Sequence, residues 1–388
     1  MDSNGKPIAH ATVLIYHAGV KVGYSTYCPS CYHDCGKRVT TDQNGEFVVK
    51  DLAPDLWFTL LAVHQAYVPK ISEKVDPGKS SAVKIVLAAR RSTSKTSSIA
   101  RGRITDLAGN PVPDALVQPL GLIVGQASMY GTIDGLDPLA VTNAKGDFEL
   151  SYMGTSPAML VEVAGRGYAP KFAKLTTGTT RTHLAVSDGA TIRGVLTANG
   201  KPVGNAEVGL IAKDRGGFMR KLTITGFPYE EQRVGTAPDG SFLITNVPEP
   251  VTWLLYAKMD SMPKGEGTQP VEVRTDQDKQ YLDKISLAAG PAHTITGRIT
   301  LSDGDPIPEG MRLTLSSENI WDSQTVTLNR DGAFNIQSVP NGEFCIRPSV
   351  RGYETKRIPN SNCDVPMKIA GEDKRDVDVI LYPVKPRS

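Results

Sequence analysis

At 388 residues the chain is too long for one ordinary β-sandwich and is sized for several domains. Its 40% hydrophobic and 22% charged residues are enough to bury real cores, which excludes disorder throughout, and 37 Gly with 27 Pro suit short strands and tight turns better than helices. A formal net charge of +2, with no long basic run and no basic–aromatic interleaving, argues against nucleic acid as a partner.

No apolar stretch approaches the roughly 20 residues that cross a bilayer, so no transmembrane segment is expected in this chain. The start, Met1-Asp2-Ser3-Asn4-Gly5-Lys6-Pro7, is polar and shows no signal peptide. From it the chain enters an alternating strand, Ile8 to Val13. The stretch 17–39 then interrupts the strand pattern and contains Tyr27-Cys28-Pro29-Ser30-Cys31-Tyr32-His33-Asp34-Cys35-Gly36. The C-x2-C-x3-C spacing has three readings: a structural disulfide pinning a loop, a zinc or other soft-metal site, or a redox dithiol. In the metal reading Cys28, Cys31 and Cys35 are joined by His33, or by His17, as a Cys3His set. Tyr32 stands between Cys31 and His33, so the site is not that of a c-type haem.

Asn44-Gly45-Glu46-Phe47-Val48-Val49 follows, a glycine turn leading into a strand that buries Phe47 with Val49. Trp57-Phe58-Thr59-Leu60-Leu61-Ala62 is the next strand, with Trp57 expected in the interior. Pro77-Gly78-Lys79-Ser80 resembles the end of a phosphate loop, but Glu73 occupies the place of its first glycine. Ala82 to Leu87 closes the first unit. Residues 90–98, polar throughout, read as a linker that leaves the first unit loosely attached.

The same order of phrases then recurs. The opening strand-turn-strand appears as Arg103 to Val117, as Gly194 to Val208, and from Gly297 through Pro308. The turn-Phe phrase appears as Lys145-Gly146-Asp147-Phe148, Asp239-Gly240-Ser241-Phe242 and Asp331-Gly332-Ala333-Phe334. The next strands are Leu160 to Val163, Trp253 to Ala257 and Glu343 to Ile346, and the closing strands Thr182 to Val186, Lys284 to Leu287 and Asp376 to Leu381. Some seven short strands per unit without helical periodicity mark an all-β fold of four tandem Greek-key β-sandwiches. The expected units are sandwich 1 over 1–89, linker 90–98, then sandwiches over 99–187, 188–289 and 290–388. Aligning Asp2 on Asp106 leaves sandwich 1 without a counterpart of 98–105. An exposed strand edge is expected there, as is a longer parent chain.

Further insertions fall at 120–139 and 213–233 and bring candidate binding residues: Tyr130 in the former, Phe218 and Tyr229 in the latter. Sandwich ends are natural recognition surfaces, although such loops also cap the sandwich or pack on a neighbour. Trp253 is expected in a core, whereas Trp321, in Glu318-Asn319-Ile320-Trp321-Asp322, sits in a polar stretch and is the best candidate platform for a ligand. Cys345 alternates with Phe344 and Ile346 and points away from the face they bury. Its pairing with Cys363 as a disulfide would contribute about 3 kcal/mol and indicate an oxidising compartment; two unpaired thiols are the alternative.

Taken together, the four ordered copies resemble the carboxypeptidase regulatory-like domain, a transthyretin-like sandwich related to the B-type repeats of bacterial surface adhesins. The resemblance covers nearly the whole chain apart from the linker and the insertions. It implies a non-catalytic module of secreted or cell-envelope bacterial proteins, hence an extracytoplasmic location. A zinc peptidase is not implied: none of His10, His17, His33, His64, His183 and His293 has a Glu three residues on. The expected function is non-catalytic binding or scaffolding through long loops, with a protein or glycan partner and no cofactor. Two alternatives remain open, a metal-binding or redox accessory module at Cys28, Cys31 and Cys35, and the regulatory part of a larger enzyme with its catalytic domain upstream.

Overall fold

In the strand Ala190–Ala198, the side chains of Ala190, Ile192 and Leu196 are fully buried while Val195, out of phase with them, faces solvent. A period of two sorts one face inward and the other outward. Repeated along the chain, this alternation makes the regular structure almost entirely β, with a three-residue 3-10 turn at Met259–Ser261. The computed structural model describes all residues except 22–28, 31, 33, 80–81, 91–97, 125–126, 214–230, 277–280, 357, 360 and 385–388.

The strands form layered sheets around four separate apolar cores. Sandwich 2 sets Lys171–Thr176, Ala158–Ala164, Leu116–Val124 and Ala127–Tyr130 against Arg181–Ala185, Ile99–Thr105 and Asp147–Ser151. Sandwich 3 sets Gln232–Gly235, Glu207–Ala212, Val251–Ala257 and Val271–Thr275 against a sheet centred on Ala190–Ala198 and Tyr281–Pro291. Sandwich 4 repeats the plan with Ser323–Thr327, Arg312–Ser317, Gly342–Ser349 and Val365–Ile369 against a sheet centred on His293–Leu301 and Lys374–Pro383. In these three the first and last strands lie side by side and parallel. Sandwich 1 has one complete sheet, Arg38–Thr40, Thr12–Val20, Leu56–Val63 and Lys70–Ile71.

The turn before each phenylalanine has one backbone geometry: Gly45, Gly146, Gly240 and Gly332 sit at φ of 72°, 75°, 74° and 73°. That left-handed region favours glycine. A second device recurs without being visible as a motif. The buried hydroxyl of Thr142 accepts from Ala115 N–H (2.8 Å) and donates to the Val112 carbonyl (2.7 Å). Thr41 and Thr236 make the same two bonds in sandwiches 1 and 3, and buried Leu328 takes the position in sandwich 4.

The chain forms two compact units, Met1–Asp188, and Gly189–Lys221 with Phe227–Ser388. Within the first, sandwich 1 is not loosely attached. Leu14, Leu61, Val63 and Leu139 form an apolar cluster shared with sandwich 2. Arg90 donates to Asp137 Oδ2 (2.8 Å), to Ser151 Oγ (3.0 Å) and to the Gln65 carbonyl (3.0 Å). Hence the expected linker begins with a residue that fastens the two sandwiches. Trp57 also departs from expectation: Phe58 takes the core, and the half-buried Trp57 ring lies over Gly19 with Lys74 Nζ 4.1 Å from its centre.

Candidate functional site

The strand Val251–Ala257 of sandwich 3 is apolar except for Thr252 and ends at Lys258, whose aliphatic stem continues into the interior. The next residue, Met259, belongs to the core of sandwich 4. The ammonium of Lys258 is thus carried into the junction between the two sandwiches. There it lies 3.3 Å from Glu231 Oε1 and 3.6 Å from Asp322 Oδ1, and donates to the carbonyl of Trp321. The side chains of Lys258, Glu231 and Asp322 are only 6%, 3% and 2% exposed.

Further bonds complete the cluster. Asp322 Oδ2 accepts from the Met259 N–H (3.0 Å), and Glu231 accepts from the Tyr256 hydroxyl and from Arg233. Burial pushes the Asp322 carboxyl up to about 6 against the pull of Lys258. Burial, then Glu231, holds the Tyr256 phenol well above its ordinary range. Ile211, Tyr256 and Ile320 form an apolar cluster beside it. Gly265 N–H donates to Ser338 Oγ (3.2 Å) and Gln269 Nε2 to the Asn341 carbonyl (2.9 Å), both from sandwich 3 to sandwich 4. Charges so deeply covered act as an internal tie between sandwiches and do not meet a solute.

Trp321 stands at the edge of this tie. Ile320 and Asp322 on either side are buried, its carbonyl is held by Lys258, and the residue is 49% exposed. The arrangement presents an aromatic surface on a fixed backbone, which lowers the ordering cost of binding. Tyr130 is also exposed, at the end of the strand Ala127–Tyr130 that pairs with Leu116–Val124. The insertion at 120–139 is therefore partly a hairpin extending the sheet. Phe218 and Tyr229 lie outside the described residues.

Of the cysteine loop, Cys28, Cys31 and His33 lie outside the described residues. Cys35 is a half-buried free thiol whose Sγ lies 3.4 Å from the Pro29 carbonyl. Burial raises its pKa, which lowers the thiolate fraction that metal binding or attack requires. Neighbouring Asp34 is buried, accepting from Ala53 N–H and pairing with Lys37. His17 is half-buried beside the Tyr16 ring, and burial lowers its pKa. Among the described residues, one group has ligand atoms close enough for a metal: Glu318, Cys345 and Cys363. Its two sulfurs are joined as a disulfide. Cys345, on the face opposite Phe344 and Ile346, is nonetheless fully buried.

Nothing in the local pattern marks Glu231, Lys258 or Asp322. The available signal is a lysine directly following a seven-residue, nearly all-apolar strand. No family model matches the chain, and no curated protein matches it in sequence. Among solved structures it is similar to the minor pilin of Streptococcus agalactiae, at 11% identity over 51% of this chain and 98% of that one, with a TM-score of 0.25. A streptococcal ancillary pilin aligns at 11% identity over 74% and 99%, TM-score 0.24, and the shaft pilin SpaA of Lactobacillus rhamnosus GG at 10% over 52% and 100%, TM-score 0.21. Likeness at this level assigns no activity and no partner.

Proposed function

We propose that this chain is a non-catalytic structural or binding protein of the cell envelope or exterior. Sandwiches tied in pairs form rigid modules, and exposed aromatics held on them, Trp321 foremost, contact a protein or glycan partner. The observation that carries the reading is the investment of buried charge in joining sandwiches, Arg90 with Asp137 in one unit and Lys258 with Glu231 and Asp322 in the other. Removing charges from water is costly unless partners hold them closely, so such ties suit modules that keep a set arrangement. The Cys345–Cys363 disulfide supports an oxidising location.

The test uses intact cells that produce the protein. Protease added outside should remove the chain, and thiol alkylation without reductant should leave Cys345 and Cys363 unlabelled. A chain protected from protease until lysis, with both thiols labelled, would contradict the reading.

A further inference from the structure

Sandwich 4 brings three neighbouring elements of one sheet to a single point. In sheet order Arg312–Ser317 lies beside Gly342–Ser349, which lies beside Val365–Ile369. Glu318 directly follows the first strand, Cys345 lies within the second, and Cys363 stands just before the third. Phe344 and Ile346 point into the core, so alternation puts Cys345, and Arg347 beyond it, on the outer face. There a carboxylate oxygen of Glu318 and the sulfurs of Cys345 and Cys363 all lie within 4.8 Å of one another.

Bonds other than the disulfide hold these three positions. Glu318 N–H donates to the Glu343 carbonyl (3.0 Å), and Ser316 stands opposite Cys345 in the strand register. Cys363 N–H donates to Ser361 Oγ (3.0 Å), and Val365, opposite Ile346, begins the ladder to the third strand. The two cysteine α-carbons are 5.5 Å apart. Rotation about the side-chain bonds lets the sulfurs part to the roughly 3.8 Å that two zinc–sulfur bonds of about 2.3 Å span at a tetrahedral centre. Cys345 is fully buried and Cys363 is 9% exposed, whereas the Glu318 side chain is 43% exposed, so an ion enters past the carboxylate. Two thiolates and a carboxylate around zinc(II) carry net negative charge. Arg347 Nη2, 3.7 Å from Glu318 Oε1, supplies the compensating cation.

We propose that Cys345, Cys363 and Glu318 form a zinc(II) site that is closed by the disulfide and opened by its reduction. A dithiol reductant supplies two electrons and two protons, becomes a disulfide itself and leaves Cys345 and Cys363 as thiols. Zinc then displaces both thiol protons into water and binds two sulfurs and one carboxylate oxygen, with a water completing four-coordination. The turn carrying Cys363 is thereby fastened to the strand of Cys345 in either state, by the covalent bridge when oxidised and by the ion when reduced. None of this requires the chain to be a scaffold.

The test uses the full chain carrying Cys28→Ser, Cys31→Ser and Cys35→Ser, so that Cys345 and Cys363 are its only cysteines. Zinc is titrated against a chromophoric chelator, with the chain either oxidised or reduced by a phosphine. The reduced chain should take up one zinc that the oxidised chain does not, and cobalt(II) in its place should show thiolate-to-metal charge transfer. Zinc should also raise the thermal midpoint of the reduced chain, which uptake by unfolded thiols would not do. Glu318→Gln should weaken zinc binding about tenfold or more while leaving the midpoint of the oxidised chain unchanged. No uptake on reduction, equal uptake by the oxidised chain, uptake without a rise in midpoint, or unaltered affinity in Glu318→Gln would each overturn the proposal.

Discussion

Thr142 shows how a single hydroxyl organises a turn. It bonds two main-chain groups that precede it by 27 and 30 residues, and is itself 2% exposed. Thr142→Val keeps the shape and removes both bonds, leaving Ala115 N–H and the Val112 carbonyl buried without that partner. The expected loss is about 2 kcal/mol of stability, seen as a lower denaturation midpoint, with Thr142→Ser close to wild type. No loss in the valine variant would mean that water replaces the hydroxyl. The glycine turns were legible in the sequence because glycine and its phenylalanine are two residues apart. The threonine was not, because its partners lie on a distant segment; only its fixed place four residues before each turn glycine, at Thr41, Thr142 and Thr236, hints at it.

Between elements, the tie of Lys258 with Glu231 and Asp322 couples the sandwich 3–4 junction to pH. Asp322 titrates near 6, above the ordinary carboxylate value of about 4. A carboxyl whose pKa is raised by folding contributes stability that is complete below about pH 4 and lost as pH rises through about 6. Asp322→Asn cannot titrate and should remove this component. From pH 4 to 7 the variant is expected to gain stability relative to wild type, measured by denaturant midpoints at each pH. Parallel curves would show that Asp322 is already charged at pH 4. The strands flanking this tie followed from alternation alone, but the tie did not. Single charges at strand ends look like surface residues until the neighbouring sandwich is in place.

For the whole molecule, four cores in one chain followed from repetition, and the Cys345–Cys363 pairing was one of two readings that counting cysteines left open. Trp321 could be read as exposed because it sits in a mostly polar stretch, yet Asp322 beside it turned inward to meet a lysine 64 residues earlier. Loss of the Cys345–Cys363 bridge should act on the unit that contains it. The disulfide closes a separation of 18 residues, and its loss is expected to cost about 3 kcal/mol. In calorimetry of a Cys345→Ala, Cys363→Ala variant, the transition that carries sandwich 4 should fall while that of Met1–Asp188 stays in place. Equal shifts of both would show that they do not unfold separately.

The parallel neighbouring of first and last strands in sandwiches 2, 3 and 4 has a mechanical consequence. Tension applied to the two ends of such a sandwich pulls adjacent strands in opposite directions along their length. The rungs between them are loaded together in shear, and none can be peeled off alone.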